Sequence, residues 1–210
     1  MSIYKNLKSI PMTYIIIIIT IFTYIIELFL ISKDPLLILQ IAFYPYYSLI
    51  YPWTYITSIF ASDPTTIYPL LIDTLALLFL GLIFEFNYGK VHLLILFILS
   101  GIFGNIAFYL QFYNNPYIGG VGSSGGISGI LGALAVLKPK EKIIIFPIMI
   151  PINMSYAAVV WIIFNLVGLM FQFLPIGFSA HLGGIFFGIL YGYLLRKKLK
   201  NKSDIIEYYS

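Results

Sequence analysis

Cysteine is absent from this sequence of 210 residues, and charged side chains make up only 10% of it. The absence of cysteine excludes disulfide bonds, thiolate metal sites and a cysteine nucleophile, but it does not indicate a redox compartment. The shortage of charge, with a hydrophobic content of 60% and a mean hydropathy of +0.97, excludes a water-soluble protein. Since one membrane-crossing helix needs about 20 apolar residues, the length allows about six crossings in a single helical bundle.

Long apolar runs predict six membrane-crossing helices. They lie near residues 13–32, 66–86, 92–113, 120–137, 155–173 and 178–195. The first run is too long for a signal peptide and no small-residue cleavage site follows it, so we expect it to remain as an anchor. The sequence therefore predicts an all-α integral membrane protein. Its six-helix domain spans 13–195, between a cytoplasmic N-terminus over 1–12 and a basic cytoplasmic tail over 196–210.

The placement of positive charge indicates which side of the membrane each connection faces. Every lysine and arginine except Lys33 lies in the terminal segments or in the connections after the second and fourth helices. By the positive-inside rule these segments are cytoplasmic, so the net charge of +4 is explained by topology rather than by nucleic-acid binding. We expect a multi-pass protein of the plasma membrane with both termini in the cytoplasm.

Two connections are expected to lie in the membrane interface. Residues 33–64 form the long outer connection, whose many aromatic residues suit the headgroup zone. Prolines at 35, 45, 52 and 64 argue against one continuous helix there, so we predict an irregular outer interfacial loop. The run 143–153 follows the cytoplasmic Lys142, and we expect it to be an interfacial lead-in to the fifth helix.

Five ionisable side chains fall within or at the ends of the predicted helices, where each needs a reason because a charge in a bilayer is costly. They are Glu27, Asp73, Glu85, His92 and His181. We expect Glu85 to be a helix-end carboxylate that pairs with loop amides or a lysine, and Glu27 to make an interfacial or inter-helix hydrogen bond. His92 is expected to be a solvated helix end.

Three polar residues on different helices reach one level in the membrane. Counted from the nearest cytoplasmic lysine or arginine at about 1.5 Å per residue, Ser124, His181 and Asp73 lie about 21, 22 and 25 Å into the membrane. In a hydrocarbon core of about 30 Å, that level is several ångströms below the outer surface. These side chains are therefore candidates for one site.

The segment before Ser124 is unusual for a lipid-facing helix. It reads GGVGSSGG over residues 119–126, and non-helical backbone at membrane depth is tolerated only where protein buries it or it lines a water-filled cavity. The helix from Ser124 to Leu137 is too short to span, which leaves its unpaired N-terminal amides inside the membrane. Such amides can hold the oxyanion that a serine nucleophile generates, and His181 is the only histidine at the level required of the base.

The same residues also fit a purely structural interpretation. Small residues spaced by three or four let membrane helices touch, and they occur on the fourth and sixth helices at Gly125, Gly129, Gly132, Gly184 and Gly188. A lone G-x-S-G or a lone buried histidine is more often structural than catalytic. The common level of the serine and the histidine, on two helices built to touch, favours a catalytic pair.

Four motifs carry a family resemblance. The fourth helix has G-x-S-G at residues 122–125, and the sixth has A-H-x-G-G at residues 180–184. The sequences GLIFE at 81–85 and SGIFGN at 100–105 match in order and spacing. Together they resemble the rhomboid intramembrane serine proteases, over about residues 52–195.

This resemblance implies the fold and the site. The fold is expected to be the six-helix rhomboid bundle, with Ser124 as nucleophile, His181 as base and no third acidic member. Asp73, Gly122 and Ser123 are expected to be oxyanion or accessory residues.

Three features depart from the family pattern. Aligned through the motif at 81–85, the family's H-x-x-x-N on the second helix falls on Pro69 and Asp73. Ser128 stands where an aromatic side chain usually packs on the histidine, and the W-R pair of the outer loop reads W-T at 53–54. Protonated Asp73 could donate to the oxyanion, as the asparagine does, whereas ionised Asp73 could pair with His181.

The leading functional prediction is an intramembrane serine endopeptidase that cleaves transmembrane-anchored proteins near the outer membrane face. The alternative is a catalytically inactive rhomboid-like protein that binds transmembrane helices as a chaperone or regulator. A small transporter with Asp73 as its proton site is less consistent, because the halves show no repeat. The expected partners are membrane-anchored substrates and the lipid bilayer, without nucleic acid, and the oligomeric state is left open. No metal or organic cofactor is expected, since too few histidine and acidic ligands converge.

Overall fold

The computed structural model of the chain describes residues 10–144, 150–172, 174 and 176–209, with side chains as far as Asn201. Six principal helices are α1 Met12–Lys33, α2 Tyr68–Tyr88, α3 Lys90–Phe112, α4 Ser124–Leu137, α5 Met154–Phe171 and α6 Phe178–Tyr209. All except α4 are long and apolar enough to cross a membrane, α6 over Phe178–Asn201. The predicted all-α membrane bundle is confirmed, and α4 has only 14 residues.

Helix ends coincide with residues that interrupt helical backbone. Pro11 directly precedes α1, and Gly89, with φ of 92°, is the single residue between α2 and α3. Gln172 ends α5 in a left-handed conformation. Within α2, one π-helical turn over Leu77–Gly81 separates its two α-helical parts. Lipid offers no hydrogen bonds, so the backbone groups within each helix bond to one another. A helix can end in the membrane only where other protein groups supply those hydrogen bonds.

The core of the bundle is α4, which packs between α3 and α6. Every α4 residue from Gly125 to Leu134 is buried. A Cβ atom at Gly184 would overlap the carbonyl oxygen of Gly125, and one at Gly188 would overlap that of Gly129. Because these two α6 positions carry no side chain, the backbone of α6 lies against that of α4, and this contact sets the separation of Ser124 and His181.

The connection between α1 and α2 is irregular, as the prolines predict. It contains 3₁₀ turns over Pro35–Leu37 and Pro45–Tyr47 and single helical turns over Ile38–Ile41 and Thr54–Thr57. Tyr46 and Trp53 are exposed, whereas Phe43 is completely buried and exchanges two backbone hydrogen bonds with Gly120. The connection therefore also braces the loop that leads into α4.

Two carboxylates fasten α1 to the rest of the bundle. Glu85 accepts hydrogen bonds from the backbone N–H groups of Met12 and Thr13, at 2.7 and 2.9 Å, and so caps the N-terminus of α1. At the other end, Glu27 accepts from the backbone N–H of Ser62 at 3.1 Å. Glu85 thus pairs with amides, as predicted, but they belong to the first turn of α1 rather than to a loop. The hydrogen bond predicted for Glu27 is present, and its donor lies in the connection rather than in another helix.

The segment before α5 differs from the predicted interfacial lead-in over 143–153. Strands β1 Lys142–Ile144 and β2 Pro151–Asn153 pair in antiparallel fashion, and residues 145–149 lie outside the described part of the chain. The β-branched isoleucines of this run favour a strand. Where α5 begins, beside the hairpin, the backbone N–H of Met154 donates to the carbonyl oxygen of Glu141.

Candidate active site

The turn before α4 sets the position of Ser124. Gly122 has φ of 136°, in the region that favours glycine, and its N–H donates to the carbonyl oxygen of Ser58 at 3.0 Å. Ser123 then takes the N-cap position and Ser124 the first position of the helix. The serine is held beside the first-turn amides of α4, which have no acceptor within the helix.

Ser124 and His181 form a hydrogen-bonded pair. His181 Nε2 lies 2.8 Å from Ser124 Oγ, a distance that permits direct proton transfer. His181 is 5% exposed and lies in the first turn of α6, whereas Ser124 is half-buried. A buried imidazole nitrogen thus faces a hydroxyl that retains some accessibility.

The second ring nitrogen of His181 has a partner that the sequence reasoning missed. Nδ1 lies 2.8 Å from Oδ1 of Asn165, which is completely buried on α5. The amide nitrogen of Asn165 donates to the carbonyl oxygen of Trp161 at 2.7 Å. The available signal is an uncharged amide in the middle of an apolar helix, where a polar side chain needs a hydrogen-bond partner.

An aromatic ring also lies beside His181, and it comes from α5. The centroid of Trp161 is 5.2 Å from that of His181, with 32° between the ring planes. The indole N–H donates to Ser128 Oγ at 2.9 Å. Ser128 occupies the α4 position at which the sequence comparison expected an aromatic residue, and here it anchors one from the neighbouring helix.

Asp73 contacts the serine loop rather than the histidine. Ser123 Oγ donates to Asp73 Oδ2 at 2.7 Å, and the backbone N–H groups of Ser123 and Ser124 also interact with this carboxylate. The ring nitrogens of His181 are engaged by Ser124 and Asn165. The sequence-based alternative in which Asp73 pairs with His181 is therefore wrong, because Asp73 instead accepts a hydrogen bond from Ser123.

The remaining polar candidates lie outside this cluster. His92 lies at the start of α3, as predicted, but it is half-buried and its Nδ1 is 2.7 Å from the hydroxyl of Tyr191, so it is only partly solvated. Pro69 lies in the first turn of α2, where no helical N–H is lost. Across the described ranges, no three histidine or acidic side chains converge in a way that could hold a metal ion.

Two comparisons with known proteins bear on this arrangement. The family model of the Rhomboid domain matches residues 49–198, which include all of α2 to α5 and most of α6. The chain is also 30% identical over 82 residues to Rhomboid protein 1, mitochondrial, of Saccharomyces cerevisiae. That match covers 39% of this chain and 24% of the yeast protein, so the chain spans about a quarter of that relative.

Proposed function

This chain belongs to the rhomboid family, and on that premise we propose that it is an intramembrane serine endopeptidase. The family has an intramembrane protease-like fold and generally consists of serine proteases. The proposed substrates are transmembrane-anchored proteins, cleaved with Ser124 as nucleophile and His181 as base.

One observation carries the proposal: the 2.8 Å contact between His181 Nε2 and Ser124 Oγ at the start of α4. A serine hydroxyl is a weak nucleophile until a base takes its proton, and this contact supports that transfer. The N-terminal amides of α4 are next to the same hydroxyl and are suited to hold an oxyanion. Nucleophile, base and anion-binding amides thus occupy one place.

The reaction follows from these positions. Ser124 Oγ attacks the carbonyl carbon of the scissile peptide bond while His181 Nε2 takes the hydroxyl proton, and a tetrahedral intermediate forms. Its collapse breaks the C–N bond, with the proton passing from His181 to the leaving amine. Water then adds to the acyl-enzyme with His181 again as base. Collapse of the second tetrahedral intermediate breaks the C–O bond to Ser124, whose oxygen takes the proton back from His181, and the carboxylic acid product is released.

The site favours a substrate with locally unwound backbone. Nucleophilic attack on a peptide carbonyl requires that carbonyl to lie beside Ser124, and a continuous helix keeps its carbonyls in intrahelical bonds. By the positive-inside argument, the end of the bundle at which α4 begins faces away from the cytoplasm. Cleavage is proposed to occur near that outer face, in the plasma membrane, in segments where small residues weaken the helix.

The experiment combines activity-based labelling with substrate cleavage. The purified full chain in lipid nanodiscs is treated with a fluorophosphonate, and a model transmembrane substrate is assayed separately. We expect labelling and cleavage in the wild type and loss of both in Ser124→Ala, because the nucleophile is gone. His181→Ala should reduce both by at least about 10³-fold, as for the members of a catalytic triad that act as a unit.

A control keeps this test specific. Ser100→Ala removes another buried serine hydroxyl, on α3, whose oxygen has no hydrogen-bond partner among the described residues. Its labelling and cleavage should equal those of the wild type. Labelling that persists in Ser124→Ala, or equal cleavage in wild type and both dyad variants, would rule out the proposed mechanism.

A second candidate function is a catalytically inactive member that binds transmembrane helices as a chaperone or regulator. The observation in its favour is the Asp73 carboxylate, which interacts with the backbone amides of Ser123 and Ser124. The negative charge of this carboxylate beside the amides would oppose the formation of an oxyanion there. This candidate predicts association with transmembrane helices, no fluorophosphonate labelling, and unchanged association in Ser124→Ala.

A further inference from the structure

The side-chain amide of Asn165 has one orientation that satisfies its neighbours. The carbonyl oxygen of Trp161, 2.7 Å away, can only accept a hydrogen bond, so the NH₂ group of Asn165 must face it. The reverse orientation would set two oxygen atoms against each other. The oxygen of this amide therefore faces His181 Nδ1, at 2.8 Å.

This orientation determines where the proton of His181 resides. Because Asn165 Oδ1 is purely an acceptor, Nδ1 must carry the hydrogen. A neutral imidazole protonated at Nδ1 has an unprotonated Nε2. That nitrogen lies 2.8 Å from Ser124 Oγ, so it accepts the serine hydroxyl proton. A backbone carbonyl of α5 thus selects, through one amide, the tautomer required of a base.

The same face of α5 supports the imidazole ring. Trp161 and Asn165 are four residues apart, so both side chains lie on one side of the helix. The indole lies 5.2 Å from the imidazole, centroid to centroid, and is itself fixed by its hydrogen bond to the buried Ser128. Rotation of the imidazole is thereby opposed by a ring contact and by the bond to the amide.

We infer that Asn165 and Trp161 are a histidine-positioning pair, supplied by α5, that prepares His181 to act as the base toward Ser124. The catalytic meaning of this pair rests on the proposed function, whereas the tautomer it selects does not. During the reaction the Nδ1–H of the imidazolium continues to donate to Asn165 Oδ1, and a hydrogen bond from a charged donor is stronger than one from a neutral donor. The pair thus stabilises the protonated histidine without adding a charge.

The tautomer can be measured directly because the chain contains two histidines. The full chain is labelled with ¹⁵N-histidine in lipid nanodiscs, and nitrogen–proton correlation spectra report which ring nitrogen is protonated. The variant His92→Gln assigns the signals. We expect His181 of the wild type to carry its proton on Nδ1, with Nε2 unprotonated.

Substitutions of Asn165 then test its role. Asn165→Leu removes the acceptor at similar volume, and we expect loss of the Nδ1 preference and a fall in kcat of about 10- to 100-fold with KM unchanged. Asn165→Asp keeps an acceptor oxygen, so it should retain the wild-type tautomer and most of the activity. Asn105→Leu is the matched control. Asn105, on α3, donates hydrogen bonds from its side-chain amide to Tyr55 and Ser58 in the connection between α1 and α2. It should leave the tautomer unchanged.

The outcomes separate this inference from the proposed function. A wild-type His181 protonated at Nε2 overturns the inference, as does an Asn165→Leu variant with wild-type tautomer and kcat. If Asn165→Leu does not fold, the wild-type spectrum and Asn165→Asp decide, and Nε2 protonation in either is contrary to it. If the wild type neither cleaves nor labels, the proposed function fails, and the tautomer still decides the positioning role.

Discussion

The carboxylate of Asp73 is the group whose removal should change the reaction rate most informatively. It accepts a hydrogen bond from Ser123 Oγ at 2.7 Å and interacts with the N–H of Ser124, which is a donor available to an oxyanion. When ionised, Asp73 occupies the anion site with a like charge. When protonated, it can instead donate a hydrogen bond, as a neutral carboxylic acid does in other oxyanion holes. Asp73→Asn removes the charge and supplies an NH₂ donor in either case.

The size of the effect follows from the distances. An oxyanion held by the Ser124 amide would lie about 5 Å from the carboxylate, and at an effective dielectric constant of about 20 the repulsion is about 3 kcal/mol. Since about 1.4 kcal/mol changes a rate tenfold, the ionised carboxylate should slow acylation by about 100-fold. A lost oxyanion donor has a similar cost, of about 100- to 1000-fold.

Cleavage of a transmembrane substrate is measured against pH for the wild type and Asp73→Asn. We expect the variant to be about 100-fold faster than the wild type at alkaline pH, because the wild-type carboxylate is then charged. The two should converge at acid pH. Asp73→Leu, which has neither charge nor donor, should exceed the wild type at alkaline pH and fall below it at acid pH. Superimposable profiles for wild type and Asp73→Asn would refute the reasoning.

Two further predictions concern the fold and its orientation. Gly184→Leu should lower the thermal unfolding temperature in detergent and remove cleavage, since the Cβ of the new side chain alone would overlap the carbonyl oxygen of Gly125. A melting curve identical to that of the wild type would contradict the close contact of α4 with α6. A cysteine introduced at the exposed Thr65 should react with an impermeant maleimide in intact cells, and one at the exposed Asn201 should not, because the positive-inside rule places Asn201 in the cytoplasm. Labelling of Asn201→Cys alone would invert the proposed topology.

The helices were predictable because lipid imposes a strong pattern on sequence. Each run of apolar residues bounded by charge, proline or glycine became a helix within about four residues of its predicted ends, except that α6 continues beyond the predicted end at 195 to Tyr209. The short α4 was predictable for the same reason, since the glycine-rich segment before Ser124 cannot be lipid-facing helix. The hairpin of β1 and β2 was not, because a short isoleucine-rich run next to a charged segment fits an interfacial segment as well as a strand.

The site was predictable only in part. The shared level of Ser124 and His181 follows from counting residues along helices, and the structure places them in contact. Counting residues does not predict the contacts of α5 in the same way. Whether Asn165 and Trp161 face His181 depends on how α5 is rotated about its own axis. Rotation is set by packing against neighbouring helices, which an almost uniformly apolar helix does not encode in its sequence.

The attachment of α1 through Glu85 and Glu27 determines which residues of this helix can be substituted. The family model begins at residue 49, so α1 precedes the matched region. Both carboxylates receive main-chain N–H groups, which every amino acid except proline supplies. Thr13 adds a side-chain hydrogen bond from its Oγ1 to Glu85 at 2.8 Å. Apart from this bond the two attachments depend little on side-chain identity at the donor positions, and most of the apolar surface of α1 faces outward. In engineering terms the outward face of α1 is exchangeable: it can be redesigned to suit a bilayer of different thickness, while Thr13, Glu27 and Glu85 keep the helix in register with the rest of the bundle.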